Sequence, residues 1–92
     1  MTIEKDLIIE MNPVVSSNIT HVGYRQTDQT LRIKFGSGGV YDYTEVPVEL
    51  VKELIENKSI GSFFHKNIRK QWVGRKLTEE EQQDCVWIEG GE

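Results

Sequence analysis

One hairpin signal constrains this chain more than any other: Leu31-Arg32-Ile33-Lys34-Phe35, then Gly36-Ser37-Gly38-Gly39, then Val40-Tyr41-Asp42-Tyr43. Side chains alternate along a strand with a period of two, so Leu31, Ile33 and Phe35 share one face while Arg32 and Lys34 share the other. The turn decides where the tyrosines go. A two-residue turn at Ser37-Gly38 pairs Phe35 with Val40, Lys34 with Tyr41 and Arg32 with Tyr43, which joins both tyrosines to the cations. A five-residue loop shifts the pairing by one and sends both rings to the Leu31/Ile33/Phe35 face. Glycine at the second turn position suits a type I′ turn and favours the first register. In that register Arg32, Lys34, Tyr41 and Tyr43 form a platform of rings and cations suited to stacking bases and holding phosphates. The plainer alternative is that the tyrosines fill a small core.

Ninety-two residues suffice for one small domain, which buries a smaller share of its surface than a larger one and gains from self-association. The expectation is a homo-oligomer. A hydrophobic share of 37% supports one core, while 28% charged residues argue against a membrane protein. No run approaches the roughly 18 apolar residues of a membrane helix. With no basic stretch leading into an apolar core at the N-terminus, the expected location is the cytoplasm. A single cysteine, Cys85, excludes an internal disulfide and cannot build a zinc site by itself.

The net charge of −4 counts against general duplex binding, which relies on many phosphate contacts. Its distribution is uneven. Lys52, Lys58, Lys66, Arg69, Lys70, Arg75 and Lys76 face only Glu53 and Glu56 within their segment, whereas the tail from Thr78 carries acids and no cation. A local basic patch suits a small anionic ligand better than a long polyanion, although a solvated helix face produces the same pattern.

Thr2 to Met11 alternates as a short strand that Asn12-Pro13 ends, and Asn18 to Arg25 reads as a second strand with Val22 and Tyr24 in phase. With the hairpin this makes a three-stranded antiparallel meander. Pro47 suits the first position of a helix whose stripe is Val48, Val51, Leu54 and Ile55. Ser59 can cap a second helix bearing Phe63, Phe64, Ile68 and Trp72, and Gly74 stops it. Thr78 and Glu81 have capping-box spacing, and Cys85-Val86-Trp87-Ile88 has the composition of a final strand. The expected class is α+β: a three-stranded antiparallel meander followed by two helices, with extra strand-like segments at both ends. Residues 1–13 read as an N-terminal extension, 14–73 as the central domain and 74–92 as an acidic C-terminal extension.

Ser59, Gly61 and Ser62 open the second helix, where free amides suit a phosphate, with Lys66 and Arg69 one to two turns downstream. A capped helix with a solvated basic face accounts for the same residues. Trp72 and Trp87 read as core or interface residues. His21 and His65 lie in no metal-binding spacing with Cys85 or a carboxylate, so neither metal nor cofactor is expected. No nucleophile elbow, Walker lysine or Rossmann spacing supports catalysis. The expectation is a binding protein rather than an enzyme, with a small nucleotide as ligand, RNA binding or a protein-interaction module as the alternatives, and the terminal strands able to pair between subunits.

Taken together, Ser16-Ser17-Asn18-Ile19, Gly23-Tyr24, Leu31 with Ile33 and Phe35, Tyr41-Asp42-Tyr43, Val46-Pro47, and Ser59-Ile60-Gly61-Ser62-Phe63-Phe64 with Ile68-Arg69 resemble the KTSC domain, a module of certain lysyl-tRNA synthetases. The resemblance implies a compact α+β module with a suspected RNA-binding role, and it implies no catalytic residues. An acidic chain of this size also looks like phage immune-evasion proteins, the anti-CBASS sponges that sequester cyclic dinucleotides such as cGAMP. That likeness implies capture of a small nucleotide without turnover.

Overall fold

The computed structural model describes residues 8–88. Four strands form an antiparallel meander: β1 (Ile9–Pro13), β2 (Ile19–Arg25), β3 (Thr30–Phe35) and β4 (Val40–Tyr43). Two helices follow, α1 (Val48–Glu56) and α2 (Ile60–Phe64), the second widening into a π turn over His65–Arg69. The chain then adds β5 (Arg75–Lys76) beside β4 and β6 (Cys85–Trp87) parallel to β1. The sheet order is β5-β4-β3-β2-β1-β6. This is an α+β fold, as the alternation and the helical stripes imply. Among the described residues no helix is long and apolar enough to cross a membrane.

The hairpin adopts the longer loop. Ile33 pairs with Tyr41 and Leu31 with Tyr43, so the tyrosines stand on the apolar face and not with Arg32 and Lys34. The cause is the turn: the Gly38 amide donates to the Phe35 carbonyl and the Phe35 amide to the Gly39 carbonyl, closing a loop in which Gly38 takes φ 108°. Such a loop needs a positive φ that glycine adopts without strain, and the two-residue alternative loses to it.

The apolar face meets the helices. Val22, Leu31, Ile33 and Tyr43 pack against Val51 and Leu54 of α1 and Ile60, Phe64 and Ile68 of the second helical segment. Burying each of these side chains contributes about 1.5–3 kcal/mol. Ile55, expected in the stripe of α1, is half exposed because α1 does not reach over β1. Pro47 stands one position earlier than expected, at the helix cap, and the second helix ends well before Gly74. Pro13 is the last residue of β1, opposite His21, so the strand ends where the sequence places its end. The stretch Thr2 to Leu7 of the expected first strand lies outside the described residues.

The opposite face is covered as well. The terminal segments, expected to pair between subunits, pair with each other inside one chain through β1 and β6. Ile9, Met11, Val40 and Leu77 are buried. Gly23 belongs to this arrangement, because a Cβ there would lie 2.5 Å from Ile9 Cγ2 and 2.7 Å from the Glu10 carbonyl oxygen. The expected capping box is present: the Thr78 amide donates to Glu81 Oε1 and the Glu81 amide to Thr78 Oγ1.

Arg32, expected to face a ligand, is a core residue of this second face, 3% exposed. Its Nε and Nη2 donate to both Asp42 oxygens at 2.6 and 2.9 Å, and Nη1 reaches Asp84 at 2.7 Å. Burial alone would make the guanidinium easier to deprotonate, but its bonds to Asp42 and Asp84 reverse that and hold it charged. Removing one partner of such a pair strands a buried charge. Asp42→Ala is therefore expected to cost about 3–5 kcal/mol in urea unfolding. The partly exposed Asp84, changed to Asn, should cost much less.

Candidate functional site

A bulge in β2 sets one wall of the candidate site. Ile19 pairs with Phe35 and His21 with Lys34, which leaves Thr20 as an extra residue on β2. The bulge lets Ile19 join the same core as Val22. It also carries Asn18, just before the strand, to the rim of a pocket of about 340 Å³ lined by Asn18, Phe35, Ser37, Tyr41, Tyr43, Phe64, His65 and Arg69.

The base of the pocket is aromatic. Phe35 meets Tyr41 and Phe64 edge-on, each at 5.6 Å between centroids, and Tyr43 meets Phe64 at 5.3 Å. Phe64 and Tyr43 are buried, whereas Phe35 and Tyr41 are half-buried and hold the outer positions. Tyr43 is fixed from behind by Gly74, whose missing side chain makes room for the phenol ring. Burial pushes the Tyr43 phenol above its ordinary range and Tyr41 adds to this, against the opposing effect of the Arg69 charge.

Arg69 supplies the charge. His65 and Arg69 lie four residues apart on the π turn, with Arg69 Nη1 3.4 Å from His65 Nδ1. A guanidinium only donates, so His65 Nδ1 accepts and its proton sits on Nε2. Arg25, Arg32 and Arg75 each hold a carboxylate, but Arg69 has no carboxylate partner among the described residues. No carboxylate lines the pocket.

Of the side chains singled out from the sequence, Tyr41, Tyr43 and Arg69 come together here. Ser59, Gly61 and Ser62 line a separate recess of about 280 Å³ with Val15, Ser16, Ser17 and Lys58. Ser59 makes no side-chain cap; its amide instead donates to Asn57 Oδ1 at 2.9 Å. Lys66 is exposed and lines neither cavity. Arg32 and Lys34 lie across the sheet, where Lys34 Nζ stands 5.8 Å from the centre of the Trp87 ring and His21 meets that ring edge-on. Sequence reasoning missed Asn18, Phe35, Ser37, Phe64 and His65 as lining residues. It also missed exposed Lys76, which pairs with Tyr41 through the unforeseen β5. Among the described residues no group of His, Cys, Asp and Glu gathers into a metal site.

Residues 15–72 match the sequence model of the KTSC domain. The chain is 40% identical over 55 residues to a lysine–tRNA ligase of Nostoc sp., a match spanning 60% of this chain and 10% of the ligase. A lysine–tRNA ligase of Trichormus variabilis is 39% identical over 62 residues, 67% of this chain and 11% of the ligase. The chain thus spans about a tenth of these relatives. A protein of Stutzerimonas stutzeri is 38% identical over 56 residues, covering 61% of this chain and 79% of that protein. The crystal structure of a KTSC domain protein from Yersinia pestis superposes with a TM-score of 0.73 at 31% identity, covering 76% of this chain and 99% of that one.

The burial of Tyr43 carries a pH signature. A phenol whose titration is raised in the folded state contributes stability fully present below its unfolded value, near 10, and lost as pH rises through the folded value. Between pH 9 and 11 the native protein is expected to lose more stability than Tyr43→Phe does, measured by urea midpoints at each pH.

Proposed function

The chain belongs to the KTSC domain family, and we propose that it is a non-enzymatic module that takes one nucleotide unit of a single-stranded RNA into the Tyr41–Arg69 pocket. The base lies against Tyr41 and Phe35, and the phosphate meets Arg69. The observation that carries this reading is the guanidinium left without a carboxylate beside half-buried rings. A charge-assisted contact and a stacking surface are the two things a nucleotide needs from a protein, and a base stacked on an aromatic ring is worth about 1–3 kcal/mol.

Size and charge support the same reading. A cavity of about 340 Å³ is at the small end of ligand sites and suits one base with its phosphate. The acidic net charge disfavours a long run of phosphate contacts, so specificity for an unpaired segment fits better than duplex binding. The similarity to a segment of lysine–tRNA ligases, which act on RNA, points the same way. A cyclic dinucleotide carries two bases and would need two such pockets brought face to face by a second copy of the chain.

Fluorescence anisotropy with labelled single-stranded RNA tests the reading, with cyclic dinucleotides run alongside. Tyr41→Ala and Arg69→Ala should each weaken RNA binding by roughly tenfold or more, consistent with the loss of one stacking or charged contact. The salt dependence should be shallow, reflecting about one or two phosphate contacts. Undiminished binding by both variants, or no binding to RNA at all, overturns the proposal; saturation by a cyclic dinucleotide at one ligand per two chains replaces it with the sponge.

A further inference from the structure

We infer that Asn18 makes the pocket select bases bearing a carbonyl, uracil and guanine, over those bearing an amino group at the same place, cytosine and adenine. The inference rests on the nucleotide-binding reading above and adds to it the identity of the base.

The orientation of the Asn18 amide is decided by Ser16. Ser16 Oγ accepts the backbone amides of Asn18 and Ile19, each at 3.4 Å. With its oxygen engaged by two donors, the hydroxyl has its own proton to give, and it donates that proton to Asn18 Oδ1 at 3.2 Å. The amide oxygen is thereby turned toward Ser16 and the amide nitrogen away from it. Gly61 fixes the same end from below: a Cβ there would lie 2.3 Å from Asn18 Oδ1. Gly61, expected from the sequence to help hold a phosphate, serves the close approach of Asn18.

This leaves the Nδ2 amino group, which donates to no protein acceptor among the described residues, as the hydrogen-bonding end that Asn18 offers to the pocket. The rest of the polar lining matches it. Arg69 only donates, the His65 Nδ1 acceptor is taken by Arg69, and no carboxylate stands in the wall. Donors outnumber acceptors around the ring site, with the Ser37 and Tyr41 hydroxyls able to serve either way.

Bases differ in what they bring to such a wall. Uracil presents carbonyl acceptors, and guanine presents O6 beside N7, both acceptors. Cytosine and adenine place an exocyclic amino donor at the equivalent position, so donor would face donor and one of them would go unpaired. Asn18 stands at the exposed rim, so the difference is that of one hydrogen bond made or lost, about a tenfold preference at most.

The experiment uses the full chain and competition of labelled single-stranded RNA by the 5′-monophosphates of uridine, guanosine, cytidine and adenosine. Uridine and guanosine monophosphates should compete about tenfold better than the other two. Asn18→Asp exchanges the donor for an acceptor and keeps the bond from Ser16. It should weaken all four competitors and invert their order. Asn18→Ala, which asks less of the fold, should level the four, and Ser16→Ala should do so with Asn18 still in place, because the amide is then free to turn. Thermal melts confirm that each variant is folded. Equal competition by all four in the native protein, or an unchanged preference in Asn18→Ala, overturns the inference while leaving nucleotide binding intact. Absence of RNA binding to begin with removes the underlying reading and this inference together.

Discussion

The pairing of Arg32 with Asp42 is the constraint on which the rest of the molecule depends. The two residues stand directly opposite on neighbouring strands, on the face turned away from the helices, and are joined by two short bonds. A slip of one residue would set Arg32 against Tyr43 and drive Asp42 into the helix-facing core. A buried charge without its partner costs far more than such a slip could recover. The pair therefore acts as a lock on the hairpin register, and the register is what aims Tyr41 and Tyr43 at Phe64 and the π turn.

Both faces of the sheet follow from that lock. On one, the rings of Phe35, Tyr41 and Tyr43 meet the second helical segment and leave a pocket at their margin. On the other, Arg32 extends through Asp84 and Cys85 Sγ to the last strand, so the residues that set the hairpin also hold the C-terminal segment. Burial raises the Cys85 thiol above its ordinary titration range despite the nearby guanidinium, which keeps it a neutral structural group. The acidic tail that the charge distribution sets apart is in part a set of partners for arginines, Asp84 for the buried Arg32 and Glu81 for the exposed Arg75.

Much of this was legible in the residues. Strand alternation located the meander, helical spacing located α1, and the Thr78–Glu81 spacing located a reciprocal cap that the structure contains. The misreadings have physical causes. Glycines at three of four loop positions permit several turns, and local propensity does not contain the long-range cost of an unpaired Arg32. Two charged residues, Arg75 and Lys76, carry no strand signal, yet they extend the sheet because β4 offers a free edge. The role proposed for Asn18 depends on a bulge, a bare glycine in α2 and a serine two residues earlier, a coincidence in space with no periodicity to announce it. Trp87, His21 and Lys34 form a second aromatic and cationic surface that composition alone does not distinguish from the pocket.

That rival surface allows a direct test of where the proposed RNA ligand sits. A short single-stranded RNA containing 4-thiouridine, photo-crosslinked to the full chain and mapped by mass spectrometry, reports the residues touching the base. The account predicts adducts on the Phe35–Tyr41 hairpin and the His65–Arg69 turn. Adducts confined to His21, Lys34 and Trp87 would contradict it, since they would place recognition on the opposite side of the sheet.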